Sequence, residues 1–156
     1  MSRRPAGAFF VTDSAKLPRD AMHAMRRGFM CRCPACGEGK LFRKFLKVSD
    51  ACPACGEELH HHRADDFPAY LTIIIVGHIL VPIVLAYELE MTSAMWISMM
   101  LWPVVGLAMT LGLLQPVKGT VVALQWWLGM HGFEAARERR TALAAETLPP
   151  TRVLSA

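Results

Sequence analysis

The sequence predicts a small zinc ribbon of β-hairpin knuckles, then an all-α two-helix transmembrane hairpin and an interfacial helix. Three observations lead there. Five cysteines fall within residues 31–55, four of them in two CPACG units. Two stretches, residues 67–87 and 91–114, carry no formal charge. Of the 30 formal charges, 20 lie in residues 1–66 and 8 in residues 115–156, with only Glu88 and Glu90 between. The 53% apolar average and the mean hydropathy of +0.30 blend a polar head, an apolar middle and a polar tail. At 156 residues, this excludes a disordered polar chain, a collagen-like repeat and a large two-domain soluble enzyme.

Residues 1–27, rich in Ala and Arg, read as a mobile tail. The start, MSRRPAGAFFVTDS, holds too short an apolar run for a signal peptide, which needs about 7–15 apolar residues. Residues 28–66 form the ribbon. Cys33-Pro-Ala-Cys36-Gly37 and Cys52-Pro-Ala-Cys55-Gly56 are separated by 15 residues, the spacing of a tetrahedral four-thiolate site. Two residues between cysteines let both thiolates face one ion. The glycine after each pair supplies the positive φ that closes the turn. One zinc ion is expected; the same knuckles also suit an iron–sulfur or rubredoxin-type iron centre. Disulfides do not fit a cytoplasmic head. A thioredoxin-like pair would need a single C-x2-C in an α/β setting. The intervening Leu41, Phe42, Phe45, Leu46 and Val48 suggest a short hairpin.

Cys31 and the run His60, His61, His62 are accessory candidates for metal binding or redox chemistry. They compete with plainer readings, a free thiol and a solvated strand end.

Residues 67–114 form the transmembrane hairpin, its spans at 67–87 and 91–114. At 1.5 Å per residue these reach about 31 and 36 Å, against a hydrocarbon core of about 30 Å. Pro82 and Pro103 are tolerable in membrane helices, and Pro68 sits in a first turn. The Glu88-Leu89-Glu90 link forces an antiparallel pair. Twelve of the 17 Lys and Arg precede the first span, none lies in the link and five follow the second. The positive-inside rule then places both termini in the cytoplasm of a bacterial inner membrane.

His78 is the intramembrane ionisable group. A haem ligand, which would need a second histidine from a symmetric dimer, competes with an imidazole hydrogen-bonded across the hairpin. Met91, Met95 and Met99 recur every four residues, which suits Cu(I) or helix packing.

Residues 115–140 start with a break at QPVKG and continue as TVVALQWWLGMHGF, about 20 Å long and too short to span. This reads as an interfacial helix on the inner leaflet. Residues 141–156 read as a second mobile tail.

CPACG at Cys33–Gly37, GKLF at Gly39–Phe42, CPACG at Cys52–Gly56, Asp66-Phe-Pro-Ala69 and the string from Gln115 to Phe133 together resemble the bacterial membrane family catalogued as domain of unknown function 983. The resemblance covers roughly residues 28–133. Phe67 stands where that family commonly has glycine. What the resemblance implies is a membrane protein of uncharacterised activity, in some bacteria encoded near haem–copper oxidase assembly genes.

No P-loop, GxSxG or HExxH motif occurs, so no enzyme is expected. The expected function is an accessory or docking factor for a membrane complex such as a respiratory oxidase. Its contact residues would include Asp65, Asp66, Arg43, Lys44 and Lys47. Metal or redox handling, with copper foremost, is the alternative. The expected partners are the lipid bilayer and a membrane protein, with homo-oligomers open. Nucleic acid is not expected, because topology accounts for the basic surplus.

Overall fold

The computed structural model describes residues 17–61, 66–90 and 95–147. His62, Asp65, Met91 and the outer parts of both tails lie outside the described residues. Four helices follow in order: α1 (Ala21–Phe29), α2 (Phe67–Glu90), α3 (Met95–Leu128) and α4 (Glu134–Thr147). The cysteine-rich segment lies between α1 and α2.

Helix α1 falls partly where the sequence suggests a tail. Asp20, in extended backbone, caps it by accepting a hydrogen bond from the His23 N–H at 2.7 Å. Arg26 and Arg27 in its last turn complement the carbonyl end of the helix dipole. The helix stops in a Schellman motif. The Arg32 N–H donates to the Arg27 carbonyl and the Cys31 N–H to the Gly28 carbonyl, with Cys31 left-handed at φ 58°.

Among the described residues the cysteine-rich segment contains isolated antiparallel bridges rather than strands. Arg32 pairs with Lys40, Phe42 with Val48 and Ala51 with Glu58. The expected β-hairpin ladders are therefore reduced to single rungs. The outer two bridges each bracket a cysteine pair, and the middle one brackets the basic loop Arg43–Lys47. Pro34 and Pro53 have no N–H to give a ladder.

Helices α2 and α3 are both long and apolar enough to cross a membrane. In the most apolar 18-residue window of each, 11% and 0% of the residues are buried, so the rest of the chain leaves these stretches uncovered. They pack antiparallel. Leu80 lies over Gly106, and the Tyr87 and Trp102 rings meet edge-on at 5.4 Å. The Trp102 indole donates to Glu88 at 3.2 Å. Helix α2 includes Glu88–Glu90, which the sequence reading gave to the link.

Helix α3 corrects a second expectation. It runs 34 residues, about 51 Å, straight through Pro116, where a break was expected. One proline removes one intrahelical hydrogen bond, and packing at its far end outweighs that loss. Val117, Gly119, Val121, Val122, Ala123 and Trp126 are buried there. The segment read as an interfacial helix is thus the end of the second apolar helix and the spine of the head.

The core of the head draws on elements far apart in sequence. Ala24 of α1, the four knuckle cysteines, Leu41, Phe42, Val48 and Leu59 pack with Val121, Val122 and Trp126 of α3, and with Phe133 and Ala136 around the start of α4. Helix α1 crosses α3 with backbones touching at Gly28 and Gly119. A Cβ on either glycine would overlap the other's carbonyl oxygen.

Candidate metal centre

Each cysteine pair closes its own tight turn. The Gly37 N–H donates to the Cys33 carbonyl and the Gly56 N–H to the Cys52 carbonyl, both at 2.9 Å. Their φ values, 75° and 74°, are the left-handed values that the sequence demanded of those glycines. The two knuckles are near copies, and they face each other.

The sulfurs of Cys33 and Cys55 lie 3.8 Å apart, as do those of Cys36 and Cys52. All four sulfurs lie within 4.8 Å of one another, and all four residues are buried. These separations far exceed the ~2.05 Å of a disulfide bond. Tetrahedral zinc–thiolate bonds of about 2.3 Å would hold sulfurs about 3.8 Å apart. The cluster can therefore hold one metal ion, with a donor set and spacing consistent with zinc.

Four buried thiols in contact cannot all ionise without a cation. Hydrogen bonding to the other three sulfurs, then burial, pushes the Cys33 thiol far up. Cys33 in turn holds Cys36 down at about 6, helped by the backbone N–H groups of Gly39 and Glu38. Cys33 and then Cys55, with the N–H groups of Cys55 and Ala54, bring Cys52 down to about 2. Cys55 is drawn down by Cys33 but pushed up more strongly by Cys52 and burial, to about 12. Without an ion the cluster therefore keeps protons, held most firmly at Cys33. A divalent ion would replace those protons, leaving a four-thiolate centre of formal charge −2.

The surroundings answer that charge. Arg27 of α1 donates to the carbonyls of Pro34 and Ala35 at 3.1 and 2.8 Å, bringing its guanidinium to the first knuckle. Gly39 lets the chain pass directly over the Cys52 sulfur, which a Cβ there would overlap. Beside the second knuckle, the Glu57 carboxylate has a side chain only 5% exposed. It accepts from the Trp126 indole at 3.1 Å and from Arg139 at 3.2 Å. Arg140 lies 4.0 Å from the centre of the Trp127 ring and donates to the Trp127 carbonyl at 2.6 Å. Burial, then Arg137, lowers the Arg140 pKa.

Cys31 stands apart from the four-sulfur cluster. It is the left-handed residue ending α1, and its sulfur is 3.9 Å from the Phe29 carbonyl. Burial raises its thiol pKa, which disfavours the thiolate needed for ligation or redox chemistry. His60 and His61 join Glu58 in a second cluster whose ligand atoms lie within 4.8 Å of one another. His61 Nε2 is 3.2 Å from Glu58, and its ring stands edge-on to Phe133 at 5.8 Å. His78 hydrogen-bonds within α2 rather than across the hairpin. Its Nδ1 donates to the Ile74 carbonyl at 2.8 Å, beside a groove of 470 Å³ lined by Gly77 and Pro82. Met95 and Met99 lie on the exposed surface of α3.

The sequence reading missed Arg27, Glu57, Trp126 and Arg139. No local signal singled out Glu57, since Glu38 stands two residues beyond Cys36 in the same way and is exposed. The partners lie 69 and 82 residues away, so their identity was not legible.

A family model described as Protein of unknown function (DUF983) matches residues 42–126, from the middle bridge through the second knuckle and both apolar helices to Trp126. No curated protein and no solved structure matches the chain.

Proposed function

The chain belongs to the DUF983 family, and from that premise we propose that it is a non-enzymatic accessory protein of the bacterial inner membrane. Its hairpin spans the bilayer, and its zinc-stabilised head docks a membrane complex from the cytoplasm. The observation that carries this is the sharing of one core between the four cysteines and the end of α3. Four thiolates saturate a tetrahedral ion and leave no open position for a substrate, which favours a structural over a catalytic metal. The ion then fixes the surface presented at the end of a membrane helix. Lys and Arg on both flanks of the hairpin support cytoplasmic termini. A respiratory oxidase is the first complex to test, on the gene neighbourhood that the family resemblance implies.

The test is purification of the whole protein in mild detergent, with metal analysis and identification of co-purifying subunits. One zinc per chain and a stable membrane partner are expected. Cys36→Ser should lose both while the hairpin stays inserted. Full metal content in that variant, or a protein recovered without partners, would sink the proposal.

Metal handling is the second reading, favoured by the Glu58, His60 and His61 cluster. More than one exchangeable ion per chain, copper above all, would favour it over docking.

A further inference from the structure

The loop between the knuckles, Arg43–Lys47, has no place in the metal centre. It meets α3 in a cavity of 580 Å³ lined by Lys44, Phe45, Leu46, Lys47, Asp50 and Lys118, with Val48 and His60 completing the wall. Among the described residues Asp50 is the only carboxylate lining it, and Asp50 is paired with Arg43 at 3.2 Å. Three lysines therefore line a cavity whose one acid is already matched.

The position of the cavity matters as much as its charge. Lys118 follows the apolar run of α3, which ends at Leu114. The antiparallel register set by Leu80 on Gly106 and Tyr87 on Trp102 puts Lys118 level with the first turn of α2. That is where the apolar surfaces of both helices give way to the polar head. Phe45 shares the cavity and is 51% exposed. An exposed phenylalanine among lysines poorly fits a site for a small hydrated anion. It fits the boundary of a bilayer, where acyl chains cover the ring and lysines reach the phosphates.

We propose that this cavity binds the headgroup of an anionic phospholipid from the surrounding leaflet. Lys44, Lys47 and Lys118 contact the phosphate, and Phe45 and Leu46 rest on the glycerol and upper acyl carbons. The site rests on the membrane reading given above and adds a ligand class to it. Basic pockets at the cytoplasmic ends of membrane helices recognise anionic headgroups in this way.

The experiment uses the full chain, solubilised in mild detergent and titrated with phosphatidylglycerol or phosphatidylcholine under native mass spectrometry. Phosphatidylglycerol should bind more tightly. Each of K44Q, K47Q and K118Q should weaken it about five-fold. K40Q, in the ribbon but outside the cavity, should leave it unchanged, and metal content confirms that each variant is folded. Equal binding of the two lipids, or an effect of K40Q as large as that of K118Q, overturns the site. Inorganic phosphate displacing the lipid at equal concentration overturns the lipid assignment. Alkaline carbonate extraction of native membranes separates the two levels of failure. A protein that washes off removes the membrane reading with the site; one that stays but shows no lipid preference removes the site alone.

Discussion

Cys31 shows how a residue's neighbours in sequence can misdirect. Two residues before a ligand cysteine, it invites a reading as a fifth ligand or redox thiol. The structure gives it a backbone task, the left-handed position that ends α1. Glycine prefers that position because a Cβ there costs about 1–2 kcal/mol. Cys31→Gly should therefore keep full metal content and unfold at equal or slightly higher denaturant, by about 1 kcal/mol at most. Loss of metal from that variant would restore the ligand reading. Glu57 is the opposite case, unremarkable in sequence and central in structure. It ties the second knuckle to Trp126 and Arg139, so the metal turn and the last two helices share a buried polar contact.

At the scale of elements, the crossing of α1 over α3 decides whether the head is built. Gly28 and Gly119 bring two backbones together with no room for side chains. Gly119→Val should open that crossing and destabilise the head by about 3 kcal/mol, the upper range for overpacking. Limited proteolysis of the membrane-bound protein would report it as earlier cleavage between α1 and α2. Gly112→Val provides the control, since a Cβ there meets open space. Equal protection of the Gly119 variant and the native chain would show that the crossing is dispensable. The unbroken course of α3 belongs to this scale too. Pro116 and Lys118-Gly119 look like a helix terminator when read locally. The helix continues because Val121, Val122 and Trp126 bury themselves beyond it.

Through one core the whole molecule couples a cluster that could hold a metal ion to a helix long and apolar enough to cross a membrane. Chelation should therefore unfold the head and leave α2 and the apolar part of α3 in place. Circular dichroism would fall partially while carbonate-resistant membrane association persists. Acid should act in the same direction. The Cys36 thiol is held at about 6 against an ordinary 9.0, so its thiolate contributes fully above pH 9 and is lost as pH falls through about 6. Protons also compete with the metal for the same sulfurs. Metal retention should fall as pH is lowered from 8, and retention independent of pH would contradict ligation by thiolates.

The sequence by itself determined what depends on near neighbours. The two CPACG units dictate their own turns, since a glycine at positive φ and a two-residue spacing need nothing beyond the knuckle. The lengths and charge-free runs of the apolar segments follow equally from composition. Tertiary structure decided the rest: where α3 ends, that α1 exists, and which groups surround the four sulfurs. Those outcomes hinge on contacts between residues far apart in sequence, such as Gly28 with Gly119 and Arg139 with Glu57. A lone proline or a tryptophan pair has several locally acceptable fates, and only the contacts it makes across the fold choose between them.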